Sequence, residues 1–234
     1  MRRRVLQLSL PEPRTWGGRR PGAGRKPTPG RRSGVPHRAR SPHAATNPVH
    51  VTLRAGGAVR CLRSGRVFPA VRSALTLASR GGFRIIHFSV QDDHVHLIVE
   101  AEERSVLGRG IQGAAIRVAR AVNRALGRRG PVWGDRYHAR ALTSPRAVRH
   151  AIVYVLMNFK KHGPGRGSID VRSSAPWFDG WRGAVDALGR GVSPVVPACT
   201  WLARVGWRRH GLVGSDERPC PGNRPRRQTG VRSG

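Results

Sequence analysis

Phe83-Arg84-Ile85-Ile86-His87-Phe88-Ser89-Val90, then Gln91-Asp92-Asp93, then His94-Val95-His96-Leu97-Ile98-Val99-Glu100-Ala101, is the stretch that decides the fold. Both apolar runs are rich in β-branched and aromatic residues, and a short polar turn joins them, which predicts a β-hairpin. On the second strand the side chains alternate. Val95, Leu97 and Val99 point to one face, His94 and His96 to the other. Two imidazoles spaced this way stand about 6–7 Å apart, within reach of one metal ion. With ten histidines in 234 residues, chance alone gives such a pair about 0.4 times per chain, so the pair acquires meaning only from its surroundings.

Outward from the hairpin the patterns stay regular. Val49–Arg54 alternates as a strand, Val67–Ser79 has helical spacing, and Arg104–Leu126 reads as one long helix. Val132–Trp133 and Tyr137–Leu142 are strand-like, and Pro145–His162 is a last helix. Ser144 serves as its N-cap, Pro145 occupies the first helical position, and Gly163-Pro164 stops it. The order β-α-β-β-α-β-α predicts an α+β fold. It is a ferredoxin-like sandwich with an antiparallel sheet and an added C-terminal tyrosine-bearing helix, flanked by disordered basic extensions.

Composition sets the frame for those extensions. The chain carries 44 Lys+Arg against 12 Asp+Glu, a formal net charge of +32, and its lysines are Lys26, Lys160 and Lys161. A field of that sign draws polyanions, and guanidinium is the better phosphate fork. Residues 1–46 hold 12 bases and one acid, Glu12, among many Pro and Gly, and read as a disordered basic arm. Residues 47–163 carry the regular hydrophobic patterns and are expected to form the main folded domain, with 20 bases and six acids. Residues 164–234 return to Gly, Pro and Arg as a C-terminal extension, in which Trp177, Trp181, Trp201 and Trp207 argue for partial folding back onto the core. The longest apolar run, Ala151 to Met157, is too short for a membrane helix. The basic opening is not read as a secretory signal, since its apolar stretch is broken by Gln7 and Pro11. Cys61, Cys199 and Cys220 stand far apart, with no Cys-x-x-Cys zinc motif and no disulfide framework. A reducing cytoplasmic, nucleoid-associated setting is expected.

The last helix adds the chemistry. Val148, Ile152, Val155, Leu156 and Phe159 form one apolar stripe. His150, Tyr154 and Asn158 fall roughly 180°, 140° and 100° from its centre at about 100° per residue. Tyr154 and Asn158 thus share a flank one turn apart and can serve one site. A phenol can carry a transient phosphodiester link to protein, and an amide oxygen can add a ligand to a metal held by two histidines.

These residues converge on a family. The chain resembles the single-tyrosine HUH transposases of insertion sequences, and most closely their relatives associated with repetitive extragenic palindromes. The resemblance rests on His94-Val95-His96-Leu97-Ile98-Val99, on Trp133-Gly134-Asp135-Arg136-Tyr137-His138-Ala139-Arg140, and on Tyr154-Val155-Leu156-Met157-Asn158 with Lys161-His162-Gly163, across residues 47–163. It implies an enzyme that cleaves and rejoins single-stranded DNA. His94 and His96 would match the metal ligands, with Asn158 where many members place Gln. Tyr154 would match the nucleophile that forms a 5′-phosphotyrosine. The metal implied is Mg²⁺ or Mn²⁺. One departure concerns Gln91-Asp92-Asp93, where many relatives have Met-Pro-Asn.

The DNA-binding set is predicted from charge. Arg117, Arg120 and Arg124, continued by Arg128, lie on the side of the long helix opposite Leu107, Ile111, Ala114, Val118, Val122 and Ala125. Lys160 and Lys161 join them, and Arg25 and Lys26 in Gly24-Arg25-Lys26-Pro27 fit a minor groove. The partners expected are single-stranded or hairpin DNA, with no membrane and with a homodimer left open. A second class stays open, a non-catalytic DNA-binding protein descended from a transposase and acting as a regulator. An RNA binder of the same topology needs aromatics on adjacent central strands, whereas Phe83 and Phe88 share one strand and His94–Val99 has none.

Overall fold

The computed structural model describes residues 42–161, 169–183 and 191–219. The readings placed on residues 1–41, Arg25 and Lys26 among them, lie outside the described residues. So does the side chain of Lys161.

Seven elements build the first part: β1 Val49–Arg54, α1 Phe68–Thr76, β2 Phe83–Val90, β3 His94–Ala101, α2 Arg104–Leu126, β4 His138–Ala141 and α3 Pro145–Leu156. Four strands form one antiparallel sheet in the order β2-β3-β1-β4, the ferredoxin-like arrangement that the element order predicts. The register between β1 and β3 sets Thr52 opposite His96 and Arg54 opposite His94. Between β1 and β4 it sets Thr52 opposite His138.

Each face of the sheet supports its own core. Val49, Val51 and Leu53 of β1, with Val95, Leu97 and Val99 of β3, pack against Val71 and Leu75 of α1 and Ile111, Val118 and Val122 of α2. Ile86 and Ile98 on the other face pack with Val148, Ile152, Val155 and Leu156 of α3. The sequence fits the helices locally. α3 opens with the Ser144 side chain accepting the Ala147 N–H at 3.2 Å, a cap that stabilises by about 1 kcal/mol. α2 ends at Gly127 in the left-handed conformation (φ 64°), the one helix end here that needs glycine. Among the described residues no helix is long and apolar enough to cross a membrane.

Three boundaries differ from the sequence reading. The helix expected over Val67–Ser79 covers Phe68–Thr76. The last helix ends at Leu156, and Asn158–Lys161 form a 3-10 turn, with the Lys160 N–H donating to the Met157 carbonyl three residues back. The end of the N-terminal arm is tied down, because the His43 ring donates from Nε2 to the Ala101 carbonyl at 2.8 Å.

The C-terminal extension, where described, is part of the fold and not a tail. Ala175, Phe178, Ala203, Trp207 and Val213 complete the second core, with Trp207 only 2% exposed. Short elements carry these residues: β5 Trp181–Arg182 pairs in parallel with β6 Val213–Gly214, and α4 Trp201–Arg204 leads into a 3-10 turn over Gly206–His210. Residues 172–174 run along the outer edge of β2, with the Val90 N–H bonded to the Arg172 carbonyl and the Ser174 N–H to the Phe88 carbonyl, which covers a strand edge. Two carboxylates fix the segment. Asp170, buried, takes both guanidinium nitrogens of Arg63 at 2.9 Å. Glu100, buried on β3, accepts from the Cys199 and Thr200 backbone N–H groups, the Thr200 hydroxyl and the Cys199 thiol. Buried carboxylates need such partners, and removing one partner typically costs about 3–5 kcal/mol.

Candidate active site

The polar residues of β1 and β3 lie on the α3 side of the sheet. His94 and His96 sit side by side there, with ring centroids 4.6 Å apart and edge to face. Each ring has its Nδ1 occupied. The Asp93 carboxylate accepts from His94 Nδ1 at 2.6 Å, and Arg54 in turn holds Asp93 at 2.8 Å. Partial burial works to raise the Asp93 pKa, but the hydrogen bond and charge of His94, with Arg54, hold it below the usual carboxylate range. His96 Nδ1 contacts the Thr52 hydroxyl at 3.1 Å and His50 Nε2 at 3.3 Å. Both rings are therefore oriented from behind through Nδ1, an arrangement in which Nε2 could coordinate a metal.

Tyr154 comes down onto this pair from α3. Its ring meets His96 edge-on at 5.1 Å between centroids and His50 at 5.5 Å. The flank of α3 predicted to carry Tyr154 is turned to these histidines. Burial pushes the phenol pKa up. Burial, then the charges of Arg140 and His138, lower the His50 pKa to about 4, so this imidazole is neutral at neutral pH. Tyr137, the other tyrosine of the chain, packs against the core on the opposite face and belongs to a different region.

Asn158 opens the 3-10 turn after α3 and is 1% exposed. Neither its amide oxygen nor its amide nitrogen has a hydrogen bond among the described residues, an unusual state for a buried side chain. Among the described residues, no group of three or more His, Cys, Asp or Glu side chains is set to hold a metal. A divalent ion at His94 and His96 would need further donors, and a buried amide without partners among the described residues is suited to that need.

Residues 70–155 match the family model described as transposase, IS200 like. Over that span the chain is similar to the IS200-like transposase family. The matched span contains His94, His96 and Tyr154 and ends before Asn158. Among solved structures, the chain is similar to a REP-associated tyrosine transposase bound to a REP hairpin, at 19% identity and a TM-score of 0.45, over 55% of this chain and 75% of that one. It is also similar to a candidate transposase of Deinococcus radiodurans R1, at 18% identity and a TM-score of 0.36, over 45% of this chain and 85% of that one. No curated protein matches the sequence.

The predicted DNA-binding residues divide. Arg120 and Arg124 are exposed on α2 and Arg117 is half-buried on the same side. Arg128 is turned into the loop that follows, where its Nη2 donates to the Pro131 carbonyl at 3.3 Å. Lys160 points into the C-terminal segment, its ammonium donating to the Ser215 and Glu217 carbonyls. His50, Thr52 and Asp93 were missed by sequence reasoning as site residues. The alternation of His50, Thr52 and Arg54 with Val49, Val51 and Leu53 carried a signal, but its use required the register between β1 and β3.

Proposed function

We propose that the chain cleaves and rejoins single-stranded DNA at hairpin-bearing ends through a covalent tyrosine intermediate. The observation that carries this reading is the Tyr154 ring set against His96, beside His94, on one face of the sheet. His94 and His96 would hold a divalent metal, Mg²⁺ or Mn²⁺, with the Asn158 amide as a further donor. Such an ion would draw charge from a non-bridging phosphate oxygen.

The residues do the rest. Asp93, Thr52 and His50 keep the two imidazoles in one orientation. Tyr154 Oη attacks phosphorus as the bond from phosphorus to the 3′ oxygen breaks. The products are a 5′-phosphotyrosine and a free 3′-hydroxyl, and attack by such a hydroxyl on the phosphotyrosine reverses the link with no outside energy source. The phenol, raised in pKa by burial, is protonated at neutral pH and must lose its proton as attack begins. That proton passes to solvent, and the departing 3′ oxygen takes one up. Arg117, Arg120 and Arg124, with Arg25, Lys26 and the net charge of +32, supply attraction for the DNA backbone.

The test exhausts the tyrosines. Incubated with labelled single strands carrying a hairpin and Mn²⁺, the chain should form a covalent adduct that Tyr154→Phe abolishes and Tyr137→Phe preserves, read by denaturing gel and peptide mass. An adduct surviving in Tyr154→Phe overturns the mechanism. Tight binding with no adduct in any form of the chain moves it to the non-catalytic DNA-binding class.

A further inference from the structure

The stretch from Trp133 to Arg140 takes no part in the chemistry described so far, yet it is held firmly. The Trp133 indole N–H donates to the Ala115 carbonyl at 2.9 Å, and the Gly134 N–H donates to the Arg54 carbonyl at 3.0 Å. A Cβ on Gly134 would crowd the Gly56 Cα at 3.1 Å. These ties deliver β4 to β1 in one register, with His138 opposite Thr52 and Arg140 opposite His50. Residues directly opposite on paired strands share a face. His138 and Arg140 therefore stand on the face that carries His96, next to the two side chains that touch its Nδ1. Both are exposed, whereas the alternate residues Ala139 and Ala141 are half-buried.

The two edges of the sheet differ. β2, at one edge, is covered by residues 172–174. β4 is the other edge, and among the described residues no strand pairs with its outer side. α3 packs over Ile86 of β2 and Ile98 of β3. A DNA strand with a phosphate at Tyr154 and His96 is thus walled off on the β2 side, and its way off the sheet runs over β4. Arg140 stands on that way. Its charge bears on His50, whose ring meets Tyr154. Among the described residues Arg140 forms no ion pair. A guanidinium in that state is a fork suited to phosphate.

We propose that Arg140 is a substrate-binding residue of the site, gripping a phosphate of the single-stranded flank beside the cleaved one, so that the strand reaches Tyr154 over the β4 edge. The proposal rests on the strand-transfer reading above. It adds the side from which the strand approaches and the residue that holds it there.

Full-length chain is titrated across a range of salt with two hairpin DNAs of identical stem, one blunt and one bearing a single-stranded flank. Arg140→Ala should bind the flanked hairpin severalfold more weakly, with the slope of log affinity against log salt lower by about 0.7, the value for one phosphate contact on a single strand. Its affinity for the blunt hairpin, its Mn²⁺ affinity by calorimetry and its thermal melting should match those of the unaltered chain. Arg140→Lys should restore the slope and only part of the affinity, because an ammonium carries the charge without the fork. Unaltered binding of the flanked hairpin by Arg140→Ala overturns the proposal. So do equal losses on both hairpins, the mark of a general charge effect, and a parallel fall in Mn²⁺ affinity, the mark of a residue acting through His50 and His96. A chain that forms the Tyr154 adduct, but whose flank binding survives Arg140→Ala, keeps the strand-transfer reading and loses this one. A chain that forms no adduct, but loses flank binding alone in that variant, supports the β4 path without the chemistry.

Discussion

On the side of α1 and α2, β1 and β3 present Val49, Val51 and Leu53 with Val95, Leu97 and Val99, each 3% exposed or less. On the side of α3 the same two strands present His50, Thr52 and Arg54 with His94 and His96. The backbone is common to both sets, so the pleat alone decides which residues become core and which become chemistry. The apolar face is closed by two helices that fill it with side chains. The polar face is closed by one helix that brings a phenol and a buried amide, and its remaining cover comes from the C-terminal segment. A site of this kind needs a rigid back wall, and the apolar ladder one residue away supplies it.

The sharpest way to break the comparison is to mutate neighbours on β3. Leu97→Ala removes a fully buried side chain from the apolar face and should cost about 2–5 kcal/mol in a denaturant titration. His96→Ala, one residue earlier, should leave the chain folded while Mn²⁺ affinity by calorimetry falls and the DNA adduct disappears. Equal loss of stability with unchanged metal affinity would remove the functional distinction between the faces.

A second test uses His87, which faces the C-terminal segment and meets Phe178 edge-on at 5.3 Å. Burial lowers its pKa to about 4, against an ordinary value near 6.5. The unfolded chain therefore takes up this proton first, so the stability contributed is whole above pH 6.5 and is lost as pH falls toward 4. The loss should reach at most about 3 kcal/mol, and His87→Phe should flatten it in melts recorded across that window. A wild-type melting curve level from pH 6.5 to 4 would contradict it.

The smallest effect concerns the back of the site. Asp93→Ala removes the carboxylate behind His94 and should weaken divalent metal binding by about 10–100-fold, with Asp93→Asn recovering part of it through a retained hydrogen bond. Calorimetry on the three proteins decides whether the Asp93 turn orients the ligand or only closes the hairpin.

Much of this arrangement was legible in the sequence, for local reasons. The alternation from His94 to Val99 fixed which side each residue takes, the Ser144 cap fixed where α3 begins, and the element order fixed the sheet. What was not legible depends on partners far along the chain. His50 reaches His96 because β1 pairs with β3 in one register, and Arg63 meets Asp170 over 107 residues of separation. Asn158 was placed on an α-helix, but the chain tightens after Leu156 into a 3-10 turn, a change of one hydrogen-bond step that periodicity does not report.

The clamp on α3 bears on the order in which the protein is made. Arg149 holds Glu217 with both guanidinium nitrogens, at 2.7 and 3.0 Å, and also takes the carbonyls of Gly211 and Leu212. When residue 161 leaves the ribosome, every group of the site has been synthesised, and the surface that covers the outside of its helix has not. The sheet and its first two helices can form early from nearby contacts, whereas α3 gains this clamp only after another 56 residues, the interval from 161 to 217, have been added. A nascent chain thus carries Tyr154 for several seconds, at about 5–20 residues per second, before the helix bearing it is fastened.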